Sequence, residues 1–184
     1  GLSDVSLSGG SYVSGDTNAD SVLDVGEVWT YSQASLAAAG SHTLAADVTA
    51  RDALTDTTVA TSASNTYFGA VVDWAFDVQW ADADSQNAPN LIVGESFELA
   101  YYLENLSNVE LKNIEVVGAA PVYSGQTIDG DSDEDGRIDP GEIWKYETLG
   151  TVALGEQTQS VRVAAVSTVL DMPIVDFLDT SYFG

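Results

Sequence analysis

The chain contains no cysteine, which excludes disulfide bonds, thiolate chemistry and the zinc or iron–sulfur sites that cysteine builds. Histidine occurs once, at His42, and a single histidine without cysteine excludes most zinc enzymes. His42 lies in a segment that we predict to be an exposed turn, and no nucleophile elbow accompanies it. No apolar run approaches the ~20 residues of a membrane-spanning helix. We therefore expect neither an enzyme nor a protein inserted directly into a membrane.

Basic residues are also scarce, since 5 lysines and arginines face 29 acidic residues and the formal net charge is −24. Nucleic-acid binding needs a basic surface, and this composition does not supply one. An anionic membrane surface would repel the chain as well. The composition predicts a soluble, self-repelling protein with no nucleic-acid partner.

Two acidic segments of twelve residues have nearly the same sequence, DTNADSVLDVGE and DSDEDGRIDPGE. Both place oxygen-bearing side chains at positions 1, 3, 5, 9 and 12, which is the ligand spacing of an EF-hand calcium loop. Position 7 contributes its backbone carbonyl in such loops, so its side chain is free to vary. The predicted metal ligands are Asp16, Asn18, Asp20, Val22, Asp24 and Glu27 in the first loop, and Asp131, Asp133, Asp135, Arg137, Asp139 and Glu142 in the second. We expect each loop to bind one Ca²⁺.

The two loops differ from each other and from an EF-hand in informative ways. Position 8 is apolar in both, Leu23 or Ile138, which predicts that each loop is pinned to a core. Position 6 is Gly136 in the second loop but Ser21 in the first, and serine adopts a left-handed backbone less readily, so we expect a weaker first site. The residues after position 12 are strand-like, which argues against a calcium-triggered opening of helices.

Other interpretations of these acidic and aromatic residues remain open. A solvated acidic turn would explain one loop, although two copies in register disfavour it. Asp82 and Asp84, with Asn87, are candidates for a third calcium site, but a solvated turn is favoured because no closing glutamate follows. Trp29, Tyr31, Trp144 and Tyr146 would suit an aromatic platform for sugars, yet core packing is the favoured role.

The similarity of the loops extends into a long internal repeat. The flank GEVWTY after the first loop matches GEIWKY after the second, and the pairing continues without a gap to Gly69 and Gly184. One offset of 115 residues, the separation of Asp16 and Asp131, holds throughout. A repeat of this kind determines the architecture before any local pattern does.

Apolar residues alternate with polar ones along most of the chain, which predicts strands and not helices. The predicted strands of residues 70–184 include Trp74–Trp80, Phe97–Leu103, Leu111–Val117, Ile143–Tyr146, Val161–Val169 and Ile174–Phe183. Asn105–Asn108 and Gly118–Gly125 are predicted to be turns, and Ala34–Ala39 is a weak helix candidate. The fold class is therefore all-β, as tandem immunoglobulin-like β-sandwiches.

The repeat predicts two domains, residues 1–69 and residues 70–184. Residues 70–184 hold about seven strands, which is enough for a complete immunoglobulin-like sandwich. Residues 1–69 begin with a strand at Leu2–Ser8 that corresponds to Leu111–Val117, so nothing matches the strands at Trp74 and Phe97. We therefore expect the first sandwich to be incomplete at its N-terminus, with exposed strand edges.

The stretch YVSGDTNADSVLDVGEVWTY, from Tyr12 to Tyr31, resembles the immunoglobulin-like "conserved repeat" domains of bacterial and archaeal surface proteins. The segment Asn105–Asn108 with the strand that follows it is similar to the same family. The resemblance implies a β-sandwich repeat of a large secreted or cell-surface protein, often an adhesin.

Three functions follow as expectations. The first is a calcium-stabilised structural repeat, at the cell surface or outside the cell, whose partners are neighbouring repeats or subunits of the same protein. The second is a subunit of an extracellular filament, in which a neighbour adds the missing strands of residues 1–69. The third is an adhesin domain that binds a glycan or another surface ligand.

Overall fold

A computed structural model of the chain describes residues 1–80 and 91–184, so the predicted third calcium site at Asp82, Asp84 and Asn87 lies outside the described residues. The described residues are all-β and contain no helix, and their sheets are antiparallel. Ala34–Ala39 forms neither helix nor strand, so the helix suggested there is absent. The chain divides into two compact units, Gly1–Gly69 and Ala70–Gly184.

The first unit contains five strands in two antiparallel sheets. One sheet has the order β1-β4-β5, and β2 pairs with β3 in the other. The strands are β1 (Leu2–Leu7), β2 (Ser11–Ser14), β3 (Thr30–Ser32), β4 (Gly40–Asp52) and β5 (Thr58–Gly69).

Residues 70–80 and 91–184, the described part of the second unit, contain a four-stranded and a three-stranded antiparallel sheet. Their orders are β6-β7-β12-β9 and β14-β13-β8, and β10 and β11 form a separate hairpin. The strands are β6 (Trp74–Trp80), β7 (Ser96–Asn105), β8 (Leu111–Val117), β9 (Ala120–Pro121), β10 (Tyr123–Ser124), β11 (Thr127–Ile128), β12 (Ile143–Thr151), β13 (Glu156–Ser167) and β14 (Pro173–Phe183).

The core of the second unit lies between its two larger sheets, because alternate side chains of facing strands point inward. Leu99, Tyr101 and Leu103 of β7 are fully buried beside Val161 and Val163 of β13. Trp144 and Tyr146 are 1% and 4% exposed, which confirms the prediction that these two aromatic residues are core. They are therefore not available as a platform for sugars.

The first unit has far less buried surface. Ala50 is its single buried hydrophobic residue, and Trp29 and Tyr31 are half-buried although they match Trp144 and Tyr146 in sequence. The prediction that these aromatic residues are core is therefore correct for Trp144 and Tyr146, and it is wrong for Trp29 and Tyr31. The cause is the number of strands, since within residues 1–69 no strand lies beside β3 in the way that β7 lies beside β12 in the second unit.

Equivalent contacts occur in the two units at positions that the sequence repeat aligns. Gly15 and Gly130 both have positive φ, and a Cβ built on either would lie within 2.1 Å of a backbone oxygen, that of Val28 or Ile143. Farther along, the hydroxyl of Tyr67 accepts from Ala38 N, as that of Tyr182 does from Ala153 N. The repeat therefore extends to backbone contacts.

Three local predictions differ from the structure. Gly118–Gly125 is not simply a turn, because it contains β9 and β10. Strand β13 ends at Ser167 and not at Val169, because the chain turns there and Asp171 N donates to Ser167 O. His42 lies within β4, where its ring stacks on Tyr67 at 5.3 Å, so it is not an exposed turn residue.

Candidate metal centres

Each acidic loop is fastened to a strand of the opposite sheet of its own unit. Ile138, at position 8 of the second loop, is fully buried and forms a two-way backbone bridge with Leu111 at the start of β8. Leu23 of the first loop forms the same bridge with Leu2 of β1, at 3.0 and 2.7 Å. The prediction that position 8 pins the loop to a core is confirmed for Ile138, whereas Leu23 is only half-buried and its loop is held by the backbone bridge.

The second loop brings together three of its predicted ligands. Asp131, Asp133 and Asp135 each offer a carboxylate oxygen, and these oxygens lie within 4.8 Å of one another. Such spacing suits oxygens that share one Ca²⁺ at 2.3–2.6 Å. Like charges this close repel one another unless a cation or protons lie among them.

Asp131 has a buried carboxylate oxygen without a hydrogen-bond donor. Its side chain is 9% exposed, and Oδ2 accepts from Gly136 N at 3.2 Å. Its buried Oδ1 has no hydrogen-bond partner. A buried carboxylate oxygen without a donor is costly, and a bound cation would compensate it. The residues present therefore fit a hard divalent cation.

Glu142, at position 12, holds the loop closed. Its Oε1 accepts from Ser132 N at 3.0 Å and from the Ser132 hydroxyl, and Oε2 accepts from Asp139 N at 3.0 Å. Burial alone would raise the pKa of Glu142, but the hydrogen bonds from Ser132 and Asp139 outweigh it and lower the pKa. Glu142 therefore joins loop positions 2 and 9 as a carboxylate, and it lies outside the group of three aspartates.

Asp139 and Arg137 complete the second loop. Burial first, and then the charges of Asp133 and Glu142, raise the pKa of Asp139. The Arg137 side chain donates to Glu110 at 2.6 Å, and Glu110 raises its pKa. The guanidinium also lies 3.7 Å from Asp135 Oδ2, so it offsets part of the charge of one of the three grouped aspartates. The carbonyl is the group that Arg137 would offer to a metal.

The first loop has the same backbone pattern but a looser set of ligands. Asp16 accepts from Asp20 N at 3.3 Å and from Ser21 N at 2.9 Å, as Asp131 does from Gly136 N. The Asn18 amide nitrogen donates to Asp20 and Asp24, at 2.9 and 3.3 Å. A cation bound here would meet that amide through its oxygen, which requires the amide to turn over. Val22, at position 7, donates its N–H to Asp20 Oδ1 at 2.8 Å.

Glu27 closes the first loop as Glu142 closes the second. Oε1 accepts from Thr17 N at 2.8 Å and from the Thr17 hydroxyl, and Oε2 accepts from Asp24 N at 3.1 Å and from the Trp29 indole at 3.2 Å. The hydrogen bonds from Thr17 and Asp24 lower the pKa of Glu27 to about 2. The carboxylate therefore stays ionised at neutral pH.

Sequence reasoning missed two features of these loops. The first is the hydroxyl at position 2, Thr17 or Ser132, which donates to the closing glutamate. The second is the glycine before position 1, Gly15 or Gly130, which lets the loop approach the following strand closely. Both features recur at the repeat offset, so a position-by-position comparison of the two copies would have revealed them.

Comparison of the chain with protein-family models, with curated proteins and with solved structures finds no match. In the parts of the chain that the structure describes, no helix has the length and hydropathy needed to cross a bilayer.

Proposed function

We propose that this chain is a structural module of a secreted or cell-surface protein, built from immunoglobulin-like repeats that calcium stabilises. The observation that carries the proposal is the group of Asp131, Asp133 and Asp135 together with the unpartnered, buried Oδ1 of Asp131. Closely spaced carboxylate oxygens are the ligands that Ca²⁺ prefers, so this group supports ion binding. Its partners are neighbouring repeats or subunits of the same protein.

The strand orders support the immunoglobulin-like assignment of the second unit. An immunoglobulin constant-type sandwich has seven strands, with A, B, E and D in one sheet and C, F and G in the other. Assigning β6, β7, β8, β9, β12, β13 and β14 to A–G in chain order gives the observed sheets, β6-β7-β12-β9 and β14-β13-β8. The hairpin β10-β11 is then an insertion between D and E.

The first unit fits the later part of the same pattern. Assigning β1 to β5 to strands C to G gives the pairs C–F, F–G and D–E, and these are the pairs present. Strands A and B have no counterpart in residues 1–69. This agrees with the incomplete first repeat that we expect from the sequence and with the sparse core of the unit.

The position of the loops explains what calcium would do. The second loop leads into β12 of one sheet and is bridged at Ile138 to β8 of the other. An ion that rigidifies this loop therefore connects the two sheets of the sandwich. At calcium about 100-fold above the dissociation constant, one site adds ~2.7 kcal/mol to the free energy of unfolding. That is a large part of a typical domain stability of ~5–15 kcal/mol.

Thermal unfolding in millimolar calcium and in EDTA tests the proposal. We expect the melting temperature to be higher in calcium by several degrees or more, and calorimetry to give two ions per chain. Asp131→Asn and Asp16→Asn should each remove one ion, whereas Asp179→Asn, at an exposed position of β14, should remove none. Equal melting temperatures in calcium and EDTA would show that the proposal is wrong.

A further inference from the structure

The first unit has a groove along the side on which its core is thin. The groove has a volume of about 430 Å³, and its apolar lining includes Val5, Leu7, Tyr12, Trp29 and Tyr31. Trp29 and Tyr31 belong to the segment that matches the buried aromatic pair of the second unit, yet they remain half-buried. The groove is therefore an unfilled part of a core and not a surface depression between loops.

The second unit shows what covers the same face in the complete repeat. Strand β7 pairs with β12 from Ile143, opposite Glu104, to Thr151, opposite Ser96. In this register Leu103 lies opposite Trp144 and Tyr101 lies opposite Tyr146. The pairing explains why these two aromatic side chains are almost fully buried. In the first unit, β3 pairs with β2 on one edge and with no strand on the other.

The backbone of β3 is arranged to accept a strand on that free edge. In the second unit, Lys145 uses its N–H and C=O on the β9 side, with Asp129 O and Val122 N. Glu142 O accepts Asn105 N, so backbone groups of alternate residues in this segment face β7. In the repeat, Trp29 and Tyr31 correspond to Trp144 and Tyr146, so their backbone N–H and C=O groups face the free edge of β3. Unpaired groups on a strand edge are a template for another strand.

The charges around the groove restrict the partner further. Carboxylates of Asp4 and Asp16 line the groove, and the chain as a whole has a net charge of −24. Lys145 lies in the β12 position that pairs with Tyr102 of β7, but the repeat places the neutral Thr30 there in the first unit. Glu98 and Glu104 lie on the outward face of β7, away from the core, and Lys145, which lies near Glu98, has only the neutral Thr30 as its counterpart in the first unit. Because the whole chain is strongly acidic, glutamates at these outward positions of an added strand would be unfavourable, and lysines would be favourable.

We propose that the free edge of β3 is a docking site for one extended polypeptide strand with alternating large apolar side chains and basic residues between them. The strand adds antiparallel to β3, and its apolar side chains fill the groove as Leu99, Tyr101 and Leu103 of β7 fill the core of the second unit. This inference rests on the immunoglobulin-like arrangement of the proposed function, and it does not depend on calcium.

The absence of cysteine allows a direct test on the full chain, because one introduced cysteine takes one fluorescent label. Thr30→Cys places the label on the outward face of β3, and Ser62→Cys places it at an exposed position of β5 as a matched control. The probe is a quencher-bearing peptide with the sequence of residues 96–105 in which Glu98 and Glu104 are lysine. A scrambled peptide of the same composition is the second control.

We expect saturable quenching of the label at position 30 and little change at position 62. The lysine peptide should bind about tenfold more tightly than the unaltered sequence, and the difference should shrink in high salt. On the unmodified chain, the peptide should slow amide hydrogen exchange in β3. Absence of saturable binding, equal binding of the scrambled peptide, or equal quenching at position 62 would overturn the proposal.

A second copy of the chain is the alternative occupant of the free edge of β3. Sedimentation of the chain without peptide shows whether such a dimer forms. A dimer that the peptide does not dissociate would overturn the assignment of this edge to a separate strand. Repeating the titration in EDTA separates this inference from the calcium proposal. Strand binding without a calcium effect on melting would leave this inference standing alone, and the opposite result would leave the calcium proposal standing alone.

Discussion

Asp131 and its counterpart Asp16 show how the same residue acquires different properties in two copies of one loop. Both accept a backbone N–H from position 6, Gly136 or Ser21. Asp131 is buried and has an unpartnered oxygen, whereas Asp16 is only half-buried and both its oxygens accept hydrogen bonds. Because burial makes an uncompensated charge more costly, the second loop has more to gain from a cation.

The closing glutamate of the second loop gives a test at this scale. Glu142→Gln replaces one carboxylate oxygen by an NH2 group, which cannot accept a hydrogen bond, so either the contact with Ser132 or the contact with Asp139 is lost. We expect calcium affinity at the second site to fall about tenfold to 100-fold, as for residues that orient a metal site. Calorimetry measures the change. Glu134→Gln removes the same charge at position 4 of the loop, so an equal loss there would point to net charge and not to closure.

Buried Asn105 makes contacts that its residue type alone does not predict. Its amide donates to Val109 O at 2.9 Å and to Ile138 O at 2.7 Å, and its oxygen accepts from Ser107 N. The sequence marks Asn105–Asn108 as a turn and as part of a family resemblance. The contact with Ile138 ties this turn to the second acidic loop, and it joins residues 33 positions apart in the chain.

At the scale of the elements, the glycine before each loop decides how closely the loop can approach the next strand. Gly130 has a φ of +105°, and an added Cβ would meet Ile143 O at 1.9 Å. We expect Gly130→Ala to lower the free energy of unfolding by about 1–3 kcal/mol or more, as other overpacking changes do. Denaturant titration measures the loss. Gly125→Ala is the matched control, because φ is +77° there and nothing lies within 4 Å.

The hairpin of β4 and β5 depends on a side chain at its tip. Asp52 accepts from the backbone of Thr55 and Leu54 and from the Thr55 hydroxyl, and these bonds lower the pKa of Asp52. A lowered pKa in the folded state means that this stabilisation is complete above the unfolded pKa of about 3.9 and is lost as the pH falls through the folded pKa.

The lowered pKa of Asp52 gives a testable prediction for the hairpin of β4 and β5. Asp52→Ala should lower the melting temperature at pH 6 and should reduce the further loss of stability on going to pH 3. Circular dichroism at both pH values measures it, with the exposed Asp47→Ala on the same strand as control. A variant that loses stability between pH 6 and pH 3 as steeply as the unaltered chain would contradict the role given to Asp52.

At the scale of the whole molecule, the two units differ in how much core they bury. The single buried hydrophobic residue of Gly1–Gly69 is Ala50, whereas Ala70–Gly184 buries a cluster that includes Leu99, Tyr101 and Trp144. Because apolar burial supplies most of the stabilising free energy, the two units should not be equally stable.

Amide hydrogen exchange resolves that difference within one sample. We expect amides of β4 and β5 to exchange at least about tenfold faster than those of β13 and β14, although the pairings are alike, because protection follows local stability. Mass spectrometry of peptic fragments measures both hairpins together, so each serves as the control for the other. Equal protection in the two hairpins would mean that the first unit is stabilised by something other than its own core.

The sequence alone determined the all-β class, the repeat offset and the positions of both acidic loops, because strand alternation and ligand spacing are local patterns. Tertiary structure decided which loop groups its carboxylates, that the closing glutamates bind loop backbone, and that Trp29 stays half-buried while Trp144 is core. Those outcomes depend on contacts between distant segments. Above all they depend on β7, a strand that pairs with β12 in one copy and has no counterpart in the other.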